Sequence, residues 1–250
     1  MKFYLNAISI LVVTILLVSC NQGVSTSDVS GKSGLLSRFA MSDDKLYVLA
    51  GSSMQLFDIQ NPEVPAIWNK VHVGFNIETL RAHENYLYIG AADGVYIFDN
   101  SNPEFPHMIS RFSHVVACDP VVIQGDYACV TLRNTGNCAG VFNQLEVLDV
   151  SDPHNPELLK VYPMQGPYGL GVDDDRLFIC DGMAGLKILD ISDPLDIQSV
   201  SSESEIMCSD VITNDGTLVV SDDSGLIQYD CRVEPMLKLS HIEVTVGAEL

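Results

Sequence analysis

Residues 145 to 162 read LEVLDVSDPHNPELLKVY. Leu145 to Val150 is apolar at both parities, as in a strand covered on both faces, and the Asp152-Pro153 turn that follows ends ladder pairing before a second apolar run begins. Nearly the same phrase returns as LKILDISDPLDI from Leu186, VYIFDNSNPEFP from Val95 and MQLFDIQNPEVP from Met54, with a shorter echo, LIQYD, ending at Asp230. The strand-ending aspartates, Asp58, Asp99, Asp149, Asp190 and Asp230, are spaced by 41, 50, 41 and 40 residues. An independent phrase keeps step: KLYVLA from Lys45, YLYIGA from Tyr86, YACVTL from Tyr127, RLFICD from Arg176 and TLVVSD from Thr217. Its central residues, Tyr47, Tyr88, Cys129, Phe178 and Val219, stand 41, 41, 49 and 41 apart. Two phrases held in register five times mark one supersecondary unit of about 40 residues, repeated.

The third unit shows the unit's content. A short apolar run (Pro120 to Ile123), a tight Gly125-Asp126 turn, a second run (Tyr127 to Leu132), a third (Leu145 to Val150), the Asp-Pro turn and a fourth run (Leu158 to Tyr162) spell a four-stranded antiparallel meander. No segment sustains a helical period, so helix-pair solenoids are disfavoured. The expected fold is all-β: a β-propeller of five four-stranded antiparallel blades, with Leu36 to Met41 opening the first and the β-prone tail Ile242 to Gly247 closing the ring or edging the last. MQLFD, VYIFD, LEVLD, LKILD and LIQYD, four of them followed by an Asn/Asp-Pro turn, resemble the LVIVD repeat of bacterial and archaeal surface or exported proteins, over about Leu35 to His241. The resemblance implies a propeller and an exported habit, and carries no shared catalytic set. The fifth copy departs from it, with Cys231-Arg232-Val233-Glu234-Pro235 where the turn belongs.

The 250 residues are 47% hydrophobic, enough for a sizeable core, and carry 33 acidic against 13 basic residues for a net charge of −20. That balance repels a nucleic-acid backbone, so no nucleic-acid partner is expected. Lys2 followed by the apolar run Ala7 to Val18 has the layout of a secretory signal and is too short to span a bilayer. Leu17-Val18-Ser19-Cys20 resembles the bacterial lipobox, which makes Cys20 the lipidated residue. The chain thus divides into a signal peptide (1–19), a lipidated cysteine with a Ser/Gly-rich tether (20–34) and the propeller (35–250). The expected location is outside the cytoplasm: exported and lipid-anchored in the bacterial cell envelope, at an outer membrane or cell surface.

Motifs with chemistry are sparse. GPYGLG (166 to 171) precedes a strand rather than a helix and is no phosphate loop; the Asp-Pro turns lack the glycine and distal Glu of a calcium loop; the six histidines share no repeat position. No metal site, cofactor or catalytic set is expected. Besides Cys20, the chain has Cys118, Cys129, Cys138, Cys180, Cys208 and Cys231. Hairpin counting places the loop of Cys138 beside Cys118, leaving three readings: a Cys118–Cys138 disulfide, free thiols, or a metal held with His114.

Propellers place function on the connections at one end of the central channel. The expected binding rim is Glu78, Cys118, Asp119, Tyr168, Ser209 and Asp210 at the blade entries, with Phe142 from the insertion Arg133 to Gln144, where the 50-residue gap falls. The favoured reading is a monomeric, non-catalytic module that binds an envelope protein or glycan. The alternative is an exported lyase or hydrolase using Asp119, Asp210, Glu78 and Tyr168.

Overall fold

The computed structural model describes residues 38–114, 120–134 and 142–244. Contacts divide the chain into Met1–Lys32 and Ser33–Leu250, and every described residue lies in the second unit. That unit is a five-bladed β-propeller. Blade 1 is β1 (Phe39–Ser42), β2 (Lys45–Ala50), β3 (Ser53–Asp58) and β4 (Ala66–His72); blade 2 is β5 (Ile77–His83), β6 (Tyr86–Ala91), β7 (Gly94–Asp99) and β8 (His107–Ser113). Blade 3 is β9 (Val121–Gln124), β10 (Tyr127–Leu132), β11 (Gln144–Asp149) and β12 (Glu157–Pro163). Blade 4 is β13 (Leu170–Asp173), β14 (Arg176–Cys180), β15 (Leu186–Asp190) and β16 (Gln198–Glu203), and blade 5 is β17 (Asp210–Asn214), β18 (Thr217–Asp222), β19 (Gly225–Asp230) and β20 (Leu237–Glu243). Each strand pairs with its sequence neighbour. Ile242, expected in a closing or outer tail strand, lies in the outer strand of blade 5, one residue from its end.

The recurring aspartate is a turn-maker in all five blades. Asp58, Asp99, Asp149, Asp190 and Asp230 each accept the backbone N–H two residues on, from Gln60, Ser101, Ser151, Ser192 and Arg232, at 2.7 to 3.0 Å. A second acceptor follows: Asn61, Asn102, Asp152 and Asp193 take the N–H of Glu63, Glu104, His154 and Leu195. These side chains hold the strand-to-strand turn where proline removes a donor. In blade 5, where the turn sequence departs, Arg232 forks both Nε and Nη2 onto Asp230 at 2.9 Å, and the hairpin still forms.

Each outer strand also slips register by one residue against its neighbour, at the step Leu56/Phe57 in blade 1 and at the equivalent step in the other four. Such bulges twist an exposed edge and discourage pairing with other chains.

The core lies between blades. Tyr47 and Leu56 pack on Leu87 and Phe98; Tyr88 and Ile97 on Ala128 and Leu148; Cys129 and Val147 on Leu177 and Leu189; Phe178 and Ile188 on Val211 and Leu218. In blades 1 to 4 the residue at the centre of the second phrase therefore faces the next blade, which is why that phrase is apolar at both parities.

Candidate functional site

Because the strands alternate in direction, the β2–β3-type connections and the entries to β5, β9, β13 and β17 gather at one end of the sheets. The expected rim residues that are described all lie there. Glu78 is the second residue of β5, Tyr168 precedes β13, Ser209 precedes β17, Asp210 begins it, and Phe142 stands before β11. Cys118, Asp119, Cys138 and Cys20 lie outside the described residues.

Tyr168 is a platform. Its backbone N–H donates to the Cys180 carbonyl at 2.7 Å, the Thr131 hydroxyl donates to its carbonyl at 3.2 Å, and the Arg133 guanidinium stacks over its ring at 3.8 Å. A desolvated cation on an aromatic face is held by the ring quadrupole and by the planar fit of guanidinium to ring. A similar stack stands on blade 2, where Arg111 lies 5.0 Å from the Tyr96 ring and pairs with Asp93 at 2.8 Å.

Ser209 and Asp210 are structural in their contacts. Ser209 donates its N–H to the Ser221 carbonyl at 2.9 Å and shares a hydroxyl hydrogen bond with Ser221 at 2.9 Å. Asp210 is buried and accepts the Val211 N–H at 2.9 Å, and Gly169 leaves the space its carboxylate fills, since a Cβ there would lie 2.1 Å from Oδ1. Desolvation pushes its pKa up to about 6, against the opposing pull of the Val211 N–H and the Arg81 charge.

Two features were not picked out from sequence. Fully buried Asp181 accepts the Gln165 and Gly166 N–H groups at 2.9 and 2.8 Å. Its other oxygen meets the Lys187 ammonium at 2.5 Å, a charge contact without hydrogen-bond alignment. It clamps the entry to β13 onto the β14–β15 connection. Beside it a disulfide joins Cys180 to Cys208, tying the end of β14 to the entry of blade 5. Cys129 and Cys231 are free and buried, and burial pushes the Cys129 thiol up to about 12, which makes it inert.

Four connections at this end also expose large apolar side chains. Phe75 is 80% exposed, Phe142 57%, Met183 83% and Met207 49%. Phe75 joins blades 1 and 2, Phe142 and Met183 sit on the inner hairpins of blades 3 and 4, and Met207 joins blades 4 and 5. They share this end of the sheets with the two arginine–tyrosine stacks. Among the described residues no group of three or more His, Cys, Asp or Glu side chains is placed to hold a metal.

Three stretches, 78–113, 117–163 and 170–202, match the LVIVD repeat, and they coincide with blades 2, 3 and 4. Three repeats in register support membership of the LVIVD repeat family. No curated protein matches the chain. Solved structures that resemble it include a functionally unknown protein from Desulfotomaculum acetoxidans (TM-score 0.64, 10% identity, 78% of this chain and 65% of that one). Apo AztD from Citrobacter koseri (0.59, 12%, 81% and 62%) and BamB from Moraxella catarrhalis (0.58, 11%, 77% and 56%) also resemble it. At these identities the likeness is one of fold. The chain spans less than two thirds of each of these structures.

Proposed function

We propose that the chain is a non-catalytic binding module, exported and anchored by lipid on Cys20, whose recognition surface is the end of the propeller bearing Phe75, Phe142, Met183 and Met207. The observation that carries the reading is that these four apolar side chains share their end with the arginine–tyrosine stacks, whereas the turns of the opposite end expose Val64, Phe105, Leu195 and Val233 with no such stack among the described residues. Scattered apolar residues are ordinary on a protein surface, whereas a set of them sharing one end with arginine–tyrosine stacks has the composition of a protein-binding hot spot. Methionine adapts to a partner's contour, and phenylalanine anchors. The favoured ligand is therefore an envelope protein, with a glycan as the other outcome. The Cys180–Cys208 disulfide supports an oxidising, extracytoplasmic location.

The hydrolase or lyase alternative has one observation on its side, the raised pKa of Asp210. That carboxylate is spent on the Val211 N–H and enclosed beside Gly169, while Tyr168 is covered by Arg133. The test is capture from native membranes by the intact lipoprotein, compared with the Phe142→Ala/Met183→Ala variant. Loss of a captured protein by the folded variant is expected. Capture left unchanged, or a captured glycan with no protein, contradicts the reading.

A further inference from the structure

Blade 1 has the face of an internal blade, and among the described residues no buried core covers it. The front-face positions occupied by Leu87, Ile89 and Phe98 in blade 2, by Ala128, Val130 and Leu148 in blade 3, and by Leu177, Ile179 and Leu189 in blade 4 are all buried against the preceding blade. Blade 1 carries Leu46, Val48 and Phe57 there, and none of the three is buried. The pairing register puts Phe39, Met41 and Ile67 on the same face, all exposed, Met41 and Ile67 at 65% and 70%.

Blade 5 presents the matching half. Its back face, equivalent to the one through which Phe178 and Ile188 of blade 4 pack on blade 5, carries Val219 and Gln228 at those two positions with Ile212, Leu226 and Ile242 beside them, and again none is buried. The four interblade cores join blades 1–2, 2–3, 3–4 and 4–5; among the described residues no buried core joins 5 to 1. The polar ties show the same break. In blades 1 to 3 the residue after the outer bulge reaches the next blade's turn: Asn69 to the Glu104 carbonyl, Ser110 to that of Pro153 and Lys160 to that of Leu195. The equivalent residue of blade 5, Ser240, turns back to Gln228 in its own blade at 2.9 Å.

We infer that a second copy of this chain covers these faces head to tail, the back of blade 5 of one copy packing on the front of blade 1 of the other. The occupant follows from continuity with the established interface. The set Leu46, Val48 and Phe57 repeats the positions that receive an LVIVD blade back elsewhere in the chain, and blade 5 carries the one such back left uncovered among the described residues. Among the described residues of one copy the two faces share no buried core. In the pair, Ser240 stands where it can donate to the carbonyls of the partner copy's first Asn-Pro turn, as Asn69 and Ser110 do to the turns beside them. The contact is heterologous, so it closes as a ring of copies or continues as a chain. It differs from the expectation of a monomer, and the mass of the chain decides between them.

The test is the mass, by light scattering, of the purified full chain in detergent and of two variants, Phe57→Asp and Ile212→Asp. Neither side chain is buried, so both variants are expected to fold, which circular dichroism checks. The wild type should exceed monomer mass, each variant alone should be monomeric, and an equal mixture should recover one-to-one pairs, because each variant keeps the face the other has lost. In a second measurement, Leu46→Cys in one chain and Val219→Cys in another should cross-link on mixing. A monomeric wild type, a variant that still associates alone, or a mixture that stays monomeric with no Cys cross-link overturns the inference.

Discussion

The turn between the first two strands of every blade opens on a residue held in left-handed backbone, Asp43, Glu84, Gly125, Asp174 and Asp215, with φ between 46° and 54°, and in blade 5 Gly216 follows it at 75°. Two-residue hairpins demand this conformation, and only glycine adopts it freely, with asparagine and aspartate next. Glu84 is the least suited of the five, so Glu84→Asn should stabilise the fold by about 0.5–1 kcal/mol. Gly125→Ala, with open space around the added methyl, should cost about 1–2 kcal/mol from backbone strain alone. Urea unfolding of both variants checks the pair, and equal stability would contradict the turn assignment. The strand-ending aspartates make a prediction with pH. Hydrogen bonds from Ser101, Ser151 and Ser192 hold the carboxyls of Asp99, Asp149 and Asp190 below their ordinary value. A depressed carboxylate contributes stability that is present above the unfolded value of about 3.9 and is lost as pH falls through the lower, folded value. Asp149→Asn keeps an acceptor in the turn and removes one titrating group. Its melting temperature should fall less than the wild type's between pH 6 and pH 3.

At the scale of elements, the blade was legible because each of its signals is local. The parity of LEVLD, the Asp-Pro turn and the Gly125-Asp126 turn fix three hairpins without reference to the rest of the chain. The fifth turn, doubtful in sequence, forms because Arg232 supplies the contacts its neighbours take from serine. The disulfide was not legible. Cys180 ends β14 and Cys208 lies 28 residues on, and they meet only when blade 5 docks on blade 4. Asp181 likewise reads as one more surface acid until the connection it clamps has folded over it. Closing a loop of this length should contribute about 3–4 kcal/mol. Cys208→Ser should lower the melting temperature and raise amide exchange in residues 204–209 while leaving blades 1 and 2 as protected as before. A uniform rise across all five blades would show that the bond supports the whole array and not the junction of blades 4 and 5.

For the whole molecule, five repeats in register predict the number of blades, and the structure has that number. How blade 5 stands to blade 1 could not be read, because it is the sum of four small interblade rotations, each set by side-chain volumes such as those of Tyr88 and Cys129 at one repeat position. The candidate rim was legible in position and only partly in content. Counting strands placed Tyr168, Asp210 and Phe142 at one end of the sheets, but the partners that give them their roles, Arg133 over the Tyr168 ring and Val211 beside the Asp210 carboxylate, depend on chain packing. The central claim is that this end recognises a partner. The most direct measurement places a photo-cross-linking residue at Phe142 or Met183 and, as a control at the opposite end, at Phe105, which is 60% exposed on the outer turn of blade 2. In native membranes the account predicts a discrete protein adduct from positions 142 and 183 and none from position 105. Adducts from 105 alone, or equally from all three, would contradict it.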